Sequence, residues 1–194
     1  MNRLYCMVMF CLLSVSGALA AERSTRFTPS DSVQRSAADA AESYAVASLT
    51  NDVAHVVAHS HPRYVRAMGG RDALAERLRS IAERNRLTVK EPKSVQLGVP
   101  QFEATRRRLY AIVPARVLTE GYPHDILSND YFVVVSEDQG RTWRAFNTSC
   151  GVDVKRILAD FPFDRITEVT RSPFVPVRTL ALTDPGQASA IKGE

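Results

Sequence analysis

Histidines near the start of the chain are the first residues whose types and spacing suggest chemistry. Asp52, His55 and His59 stand at positions i, i+3 and i+7 of a predicted helix and therefore share one face. Two imidazoles one turn apart beside a carboxylate are a ligand set that zinc accepts. The opposite, apolar side of the same helix consists of three valines, Val53, Val56 and Val57. Since those valines must face the core, the polar face points to solvent, and we predict no metal site.

A second set of candidates surrounds the predicted end of that helix. His61 is suited to act as a general base near neutral pH, and Tyr44 or Tyr64 is suited to donate to a developing oxyanion. The alternative is that His61 bonds a backbone carbonyl at the helix end while both tyrosines fill the core. The residues alone leave these two interpretations open.

Arg106, Arg107 and Arg108 form the densest run of positive charge in the chain. We predict that the run lies in a strand, where side chains alternate between faces, so Arg106 and Arg108 share one face. That pair would suit an anionic ligand in a pocket. The alternative is a solvated strand edge.

One hairpin carries the clearest local motif. Residues 136–143 fit the pattern S-x-D-x-G-x-T-W, with Ser136, Asp138, Gly140, Thr142 and Trp143 at its fixed positions. The pattern resembles the Asp-box, a turn best known from sialidases and other propellers. Asp138 is suited to accept bonds from turn amides and Gly140 to adopt a positive φ. Because only one copy is present and no repeat is visible, we predict a structural turn and not a glycosidase propeller.

Helical periodicity fills the first half of the chain and strand periodicity the second. We predict helices over residues 32–49 and 53–60 and a third beginning near Asp72. Four strands follow in antiparallel order, and residues 131–135, apolar on both faces, predict the central one. Pro114 predicts an edge position or a bulge in the second strand. A further helix over 152–161 and a short strand over 177–182 complete an α+β domain with helices on one face of a curved sheet.

Several motifs in this order suggest a known superfamily. They are His61-Pro62-x-x-Val65, Met68-Gly69-Gly70, Ala111-Ile112-Val113-Pro114 and the hairpin of Asp138 and Trp143. Over roughly residues 36–161 the chain resembles the nuclear transport factor two-like (NTF2-like), cone-shaped, SnoaL-like superfamily, and in particular its exported bacterial members. The resemblance implies a cone-shaped pocket between the sheet and the first helices. The residues that we expect to line it are Tyr44, His61, Tyr64, Arg106, Arg108, Tyr131 and Trp143.

The ends of the chain predict export and a single domain. A basic start, a short apolar run and an A-x-A ending make residues 1–20 a secretory signal. We expect a flexible leader over 21–35, the domain over 36–165 and an extended tail over 166–194. Signal cleavage removes Cys6 and Cys11, which leaves Cys150 without an intramolecular partner.

The charge balance argues against nucleic acid as a partner. The formal charge is +4, from 25 basic and 21 acidic residues that are well mixed along the chain. We therefore expect a periplasmic or secreted binding protein that works without a cofactor, takes a small molecule or a protein partner, and leaves the membrane after signal cleavage. A homodimer through the sheet is a further expectation. The alternatives are a cofactor-free isomerase or hydrolase acting in the cone, and an exported immunity-type protein that binds a toxin.

Overall fold

The computed structural model describes residues 25–88, 92–120, 124–146, 157–161, 166, 168–169 and 171–182. Four helices come first: α1 (Asp31–Leu49), α2 (Val53–His59), α3 (Pro62–Ala67) and α4 (Arg71–Thr88). The strands are β1 (Thr25–Arg26), β2 (Pro92–Gly98), β3 (Gln101–Ala104), β4 (Leu109–Thr119), β5 (Ile126–Ser136), β6 (Arg144–Phe146) and β7 (Pro176–Ala181). The prediction of an α+β domain with N-terminal helices on an antiparallel sheet is confirmed. No described helix is both long and apolar enough to cross a membrane.

The helix boundaries follow local chemistry. Asp52 caps α2 by accepting a 3.0 Å bond from the backbone N–H of His55. Pro62 occupies the first turn of α3, where its missing N–H costs nothing. We predicted three helices before the sheet and the structure has four, because the six-residue α3 is too short to show a periodicity of its own.

β4 is the central strand of the seven-stranded sheet. Along one edge it pairs with β5 over its whole length, from Leu109 opposite Ser136 to Thr119 opposite Ile126. Its other edge is shared by β3 and β2. The prediction that residues 131–135 form the central strand is therefore wrong, since the described part of the chain places only the three-residue β6 on the far side of β5.

Pro114 lies in the middle of this central strand. It faces Tyr131 of β5, so it does not lie at the edge of the sheet. The irregularity that we predicted occurs instead on the neighbouring edge, where residues 99 and 100 separate β2 from β3. A Cβ on Gly98 would lie 2.9 Å from Pro114 Cγ, so the two backbones approach closely at this break.

The core consists of two clusters on the two faces of the sheet. Ala111 and Val113 of β4 belong to the first cluster, whereas Tyr110 and Ile112 belong to the second. The first cluster includes the alanine-rich face of α1, formed by Ala37, Ala41 and Ala45. The second contains side chains of α2, α3 and α4 and of the described residues after 157. The sequence predicts helices on one face of the sheet, whereas helices pack on both faces.

Two strands come from segments outside the predicted 36–165 domain. β1 pairs with β3, and β7 pairs with β2. Arg178 of β7 also donates to Asp39 Oδ1 at 2.8 Å and to Glu42 of α1. The predicted signal segment, Cys150, the first half of the predicted 152–161 helix and the last twelve residues lie outside the described residues.

Candidate functional site

A buried ionic network lies at the end of the sheet where β4 begins and β5 ends. Arg108 Nε donates to Glu137 Oε1 at 2.9 Å, and Arg108 Nη1 donates to Asp160 Oδ1 at 2.6 Å. The side chains of Arg108 and Asp160 are only 5% and 7% exposed, while Glu137 is 52% exposed. The network therefore has one carboxylate at the surface and an ion pair beneath it.

Asp160 is the hub of the buried part. Thr105 Oγ1 donates to Asp160 Oδ2 at 2.8 Å, and the Tyr110 hydroxyl donates to Oδ1 at 3.0 Å. Burial alone would raise the pKa of Asp160, but these hydrogen bonds and the charge of Arg108 hold it below its ordinary value. Burial raises the pKa of Tyr110, and the negative charge of Asp160 raises it further. Asp160 is therefore ionised, and Tyr110 is a neutral donor, at physiological pH.

His61 is buried beside this network, at the junction of α2 and α3. Its Nδ1 accepts a bond of 3.3 Å from the backbone N–H of Arg63, so the neutral ring carries its proton on Nε2. Nε2 lies 3.5 Å from Glu137 Oε1. Burial lowers the pKa of His61 more than Glu137 raises it, which keeps the ring neutral. Nδ1, the nitrogen that could take up a proton, therefore already accepts a hydrogen bond from a backbone N–H.

The seven predicted pocket residues are dispersed over both faces of the sheet. His61 and Arg108 both contact Glu137. Tyr44 and Trp143 lie in the first core cluster, Tyr64 lies in the second, and Tyr131 packs against the second. Arg106 is exposed.

The arginine run forms a turn between β3 and β4, so its prediction as part of a strand is wrong. The backbone N–H of Thr105 bonds the carbonyl of Arg108 at 2.9 Å. Thr105 Oγ1 accepts bonds from the N–H groups of Arg107 and Arg108 at 3.3 and 3.1 Å. Arg106 and Arg108 therefore do not share a strand face, and only Arg108 turns inward.

The Asp-box segment is a closed turn built on two side chains. Ser136 Oγ accepts the N–H of Gly140 at 2.7 Å and donates to Asp138 Oδ1 at 2.7 Å. Asp138 also accepts the Thr142 N–H at 2.8 Å and the Thr142 hydroxyl at 2.7 Å. Trp143 Nε1 donates to Ser36 of α1 at 3.0 Å, which fixes the turn on the first helix.

Asp138 makes the stability of this turn dependent on pH. Bonds from the Thr142 side chain and backbone lower its pKa from 3.8 to about 2. A lowered folded-state pKa contributes stability above pH 4 that is lost between about pH 4 and pH 2. We expect Asp138→Asn to cost about 1 kcal/mol at pH 7, with the difference from wild type vanishing near pH 2. Urea unfolding followed by circular dichroism at each pH measures it, and parallel pH profiles for the two proteins would contradict it.

The predicted polar face of α2 makes local contacts. Asp52 is occupied as the helix cap, and the rings of His55 and His59 stack with centroids 3.9 Å apart. No group of three His, Cys, Asp or Glu residues suited to a metal ion occurs among the described residues.

Sequence reasoning missed one pair of reactive residue types. Ser43 Oγ of α1 lies 2.7 Å from His55 Nε2 of α2. The pair lines a groove of about 550 Å³ between these helices, together with Asp39, Glu42 and Asp52. Burial and the neighbouring His59 lower the pKa of His55. The twelve-residue spacing gives no helical or strand signal, because the contact depends on how α1 and α2 pack across the turn at residues 50–52.

The α+β arrangement is a property of this structure, whereas membership of the NTF2-like superfamily stays a prediction from sequence motifs. Arg108, Glu137, Asp160 and His61 come from four separate segments and form no linear motif. No protein-family model, curated protein or solved structure matches the chain.

Proposed function

We propose that the chain is an exported, cofactor-free binding protein of the NTF2-like superfamily. The observation that carries this proposal is how the two ring nitrogens of His61, the candidate general base in the sequence, are occupied. Its Nδ1 holds the N–H of Arg63, and its Nε2 lies beside Glu137 in a buried network. A general base needs a free nitrogen within reach of its substrate, and His61 offers none at the surface.

The other network members also act as structural partners. Arg108 and Tyr110 both donate to Asp160 Oδ1, and Thr105 donates to the other oxygen, Oδ2. A network satisfied in this way rigidifies a fold and offers little to a reacting substrate. Binding to a small molecule or a protein on the open surface fits this arrangement better than chemistry inside it.

The Ser43 and His55 pair is the specific observation that favours the alternative, a cofactor-free hydrolase. In that case His55 Nε2 would take the proton as Ser43 Oγ attacks an ester carbonyl, the proton would leave with the departing alcohol, and water would then release the acid from the acyl-serine. The groove offers little support for this reaction, because its carboxylates, Asp39, Glu42 and Asp52, bind Arg178 or cap α2 and cannot donate to the negative charge that develops on the carbonyl oxygen. We therefore assign the pair to the contact between α1 and α2.

We expect Ser43→Ala to leave ester hydrolysis unchanged. The measurement compares the release of p-nitrophenol from p-nitrophenyl acetate by wild type, Ser43→Ala and His55→Gln. All three should match the rate of the exposed-surface variant Ser80→Ala, because no residue of the pair acts on substrate. Saturable turnover that is lost in Ser43→Ala would overturn the binding proposal in favour of the hydrolase.

A further inference from the structure

A second groove, of about 370 Å³, lies where α2, α3, α4 and β6 meet. We call it the arginine groove, because three of its lining residues are Arg66, Arg71 and Arg144. The remaining lining residues are small or apolar, namely Val57, Ala58, Ser60, Pro62, Val65 and Gly70. None of its described lining residues is acidic, in contrast to those of the groove between α1 and α2.

The three arginines reach the groove from three different elements. Arg66 lies in the last turn of α3, Arg71 is the first residue of α4, and Arg144 is the first residue of β6. No carboxylate of the described residues pairs with any of them. By contrast, Arg108 and Arg178 are each held by two carboxylates. Three unneutralised cations around one concavity favour an anion, and guanidinium groups bind carboxylates and phosphates through paired hydrogen bonds.

The backbone at the start of α4 adds to this preference. Gly70 has a φ of +103°, and a Cβ at this position would meet nothing within 4 Å. Open space therefore lies above the first turn of an 18-residue helix, whose N-terminal N–H groups favour negative charge.

The core holds the groove wall in place. Ser60 forms a bridge with Ala145 of β6, and the His61 N–H donates to the Ala145 carbonyl at 2.8 Å. Arg144 directly precedes Ala145, so this contact fixes its backbone against the junction of α2 and α3. His61 lies at the same junction, and its contact with Glu137 connects the junction to the buried network. A site supported in this way is partly preorganised for a ligand.

We propose that the arginine groove binds a small organic anion, with its acid group between Arg66, Arg71 and Arg144. The apolar lining of Val57, Pro62 and Val65 contacts the hydrocarbon part of the ligand. The volume suits a small molecule. This inference rests on the proposed binding function and assigns the class of ligand to it.

The test is calorimetric titration of the chain without its signal segment, with octanoate as the probe. Acetate has the acid group without the long hydrocarbon tail, and 1-octanol has the hydrocarbon tail without the charge. We expect saturable binding of octanoate, binding of acetate at least tenfold weaker, and none of octanol. Arg66→Gln/Arg144→Gln should weaken octanoate binding by about tenfold or more, because two charge-assisted contacts are lost.

Arg35→Gln/Arg107→Gln is the matched control, since it removes the same two charges from exposed positions on α1 and in the turn before β4. It should change the affinity less than twofold, and thermal unfolding should show all variants folded. Equal binding by Arg66→Gln/Arg144→Gln and the control would overturn the assignment of the groove, yet leave a binding protein with its site elsewhere. Failure of wild type to bind octanoate would overturn the ligand class, whereas turnover in the ester assay would overturn the proposed function itself.

Discussion

Replacing Arg108 with methionine is expected to lower the free energy of unfolding by about 3–5 kcal/mol, the largest effect we anticipate for a single substitution. The change leaves Asp160, which is 7% exposed, as an ionised group without its cation. Thr105 and Tyr110 continue to donate to Asp160, but neither supplies a positive charge. Urea unfolding followed by circular dichroism measures the loss, which corresponds to a fall in melting temperature of roughly 10 °C.

Arg107→Met is the matched control, because Arg107 belongs to the same turn and is exposed. It should change stability by no more than about 0.5 kcal/mol. Adding Asp160→Asn to Arg108→Met should restore part of the loss, since no buried charge then remains. If Arg108→Met and Arg107→Met cost the same, the network does not stabilise the fold.

Replacing Gly140 with alanine is expected to cost about 3 kcal/mol, from two sources that variants can separate. Gly140 has a φ of +91°, which strains any residue with a Cβ. That Cβ would also lie 2.8 Å from Val33 Cγ1 of α1, so the turn and the first helix would have to move apart. Equilibrium unfolding of the variant measures the total.

Gly70→Ala isolates the backbone part of this cost. Gly70 has a φ of +103°, but its added Cβ meets nothing within 4 Å, so about 1 kcal/mol is expected. Val33→Ala in the Gly140→Ala background should recover the contact part, measured as a coupling energy of about 1 kcal/mol or more. Equal costs for Gly140→Ala and Gly70→Ala would show that the Asp-box turn does not press on α1.

The sequence predicts those parts of the fold that short-range chemistry decides. α1 runs over Asp31–Leu49, close to its predicted bounds, because its alanine spacing and the break at Asn51 are local signals. β7 spans Pro176–Ala181, close to the predicted 177–182, for the same reason. The coverage of both sheet faces was not predicted, since alternating apolar residues in β4 do not say which helix packs on which face.

The site was harder to predict because its partners are distant in the sequence. Glu137 and Asp160 lie 29 and 52 residues beyond Arg108, and no spacing rule connects them. The turn at Arg106 and Arg107 contains neither glycine nor proline, so the sequence pattern predicts a strand there. The residue type makes His61 a candidate general base, but only the hydrogen bonds in the structure distinguish a structural histidine from a base.

The pairing of β1 and β7 has a consequence for solubility. These two strands, from the beginning and end of the described chain, cover the outer edges of β3 and β2. A fragment limited to residues 36–165 would leave both edges with unpaired N–H and C=O groups, which are a template for strand addition by other molecules. Proteolytic trimming at either end would thus promote aggregation, even though the core residues of β4 and β5 would remain intact.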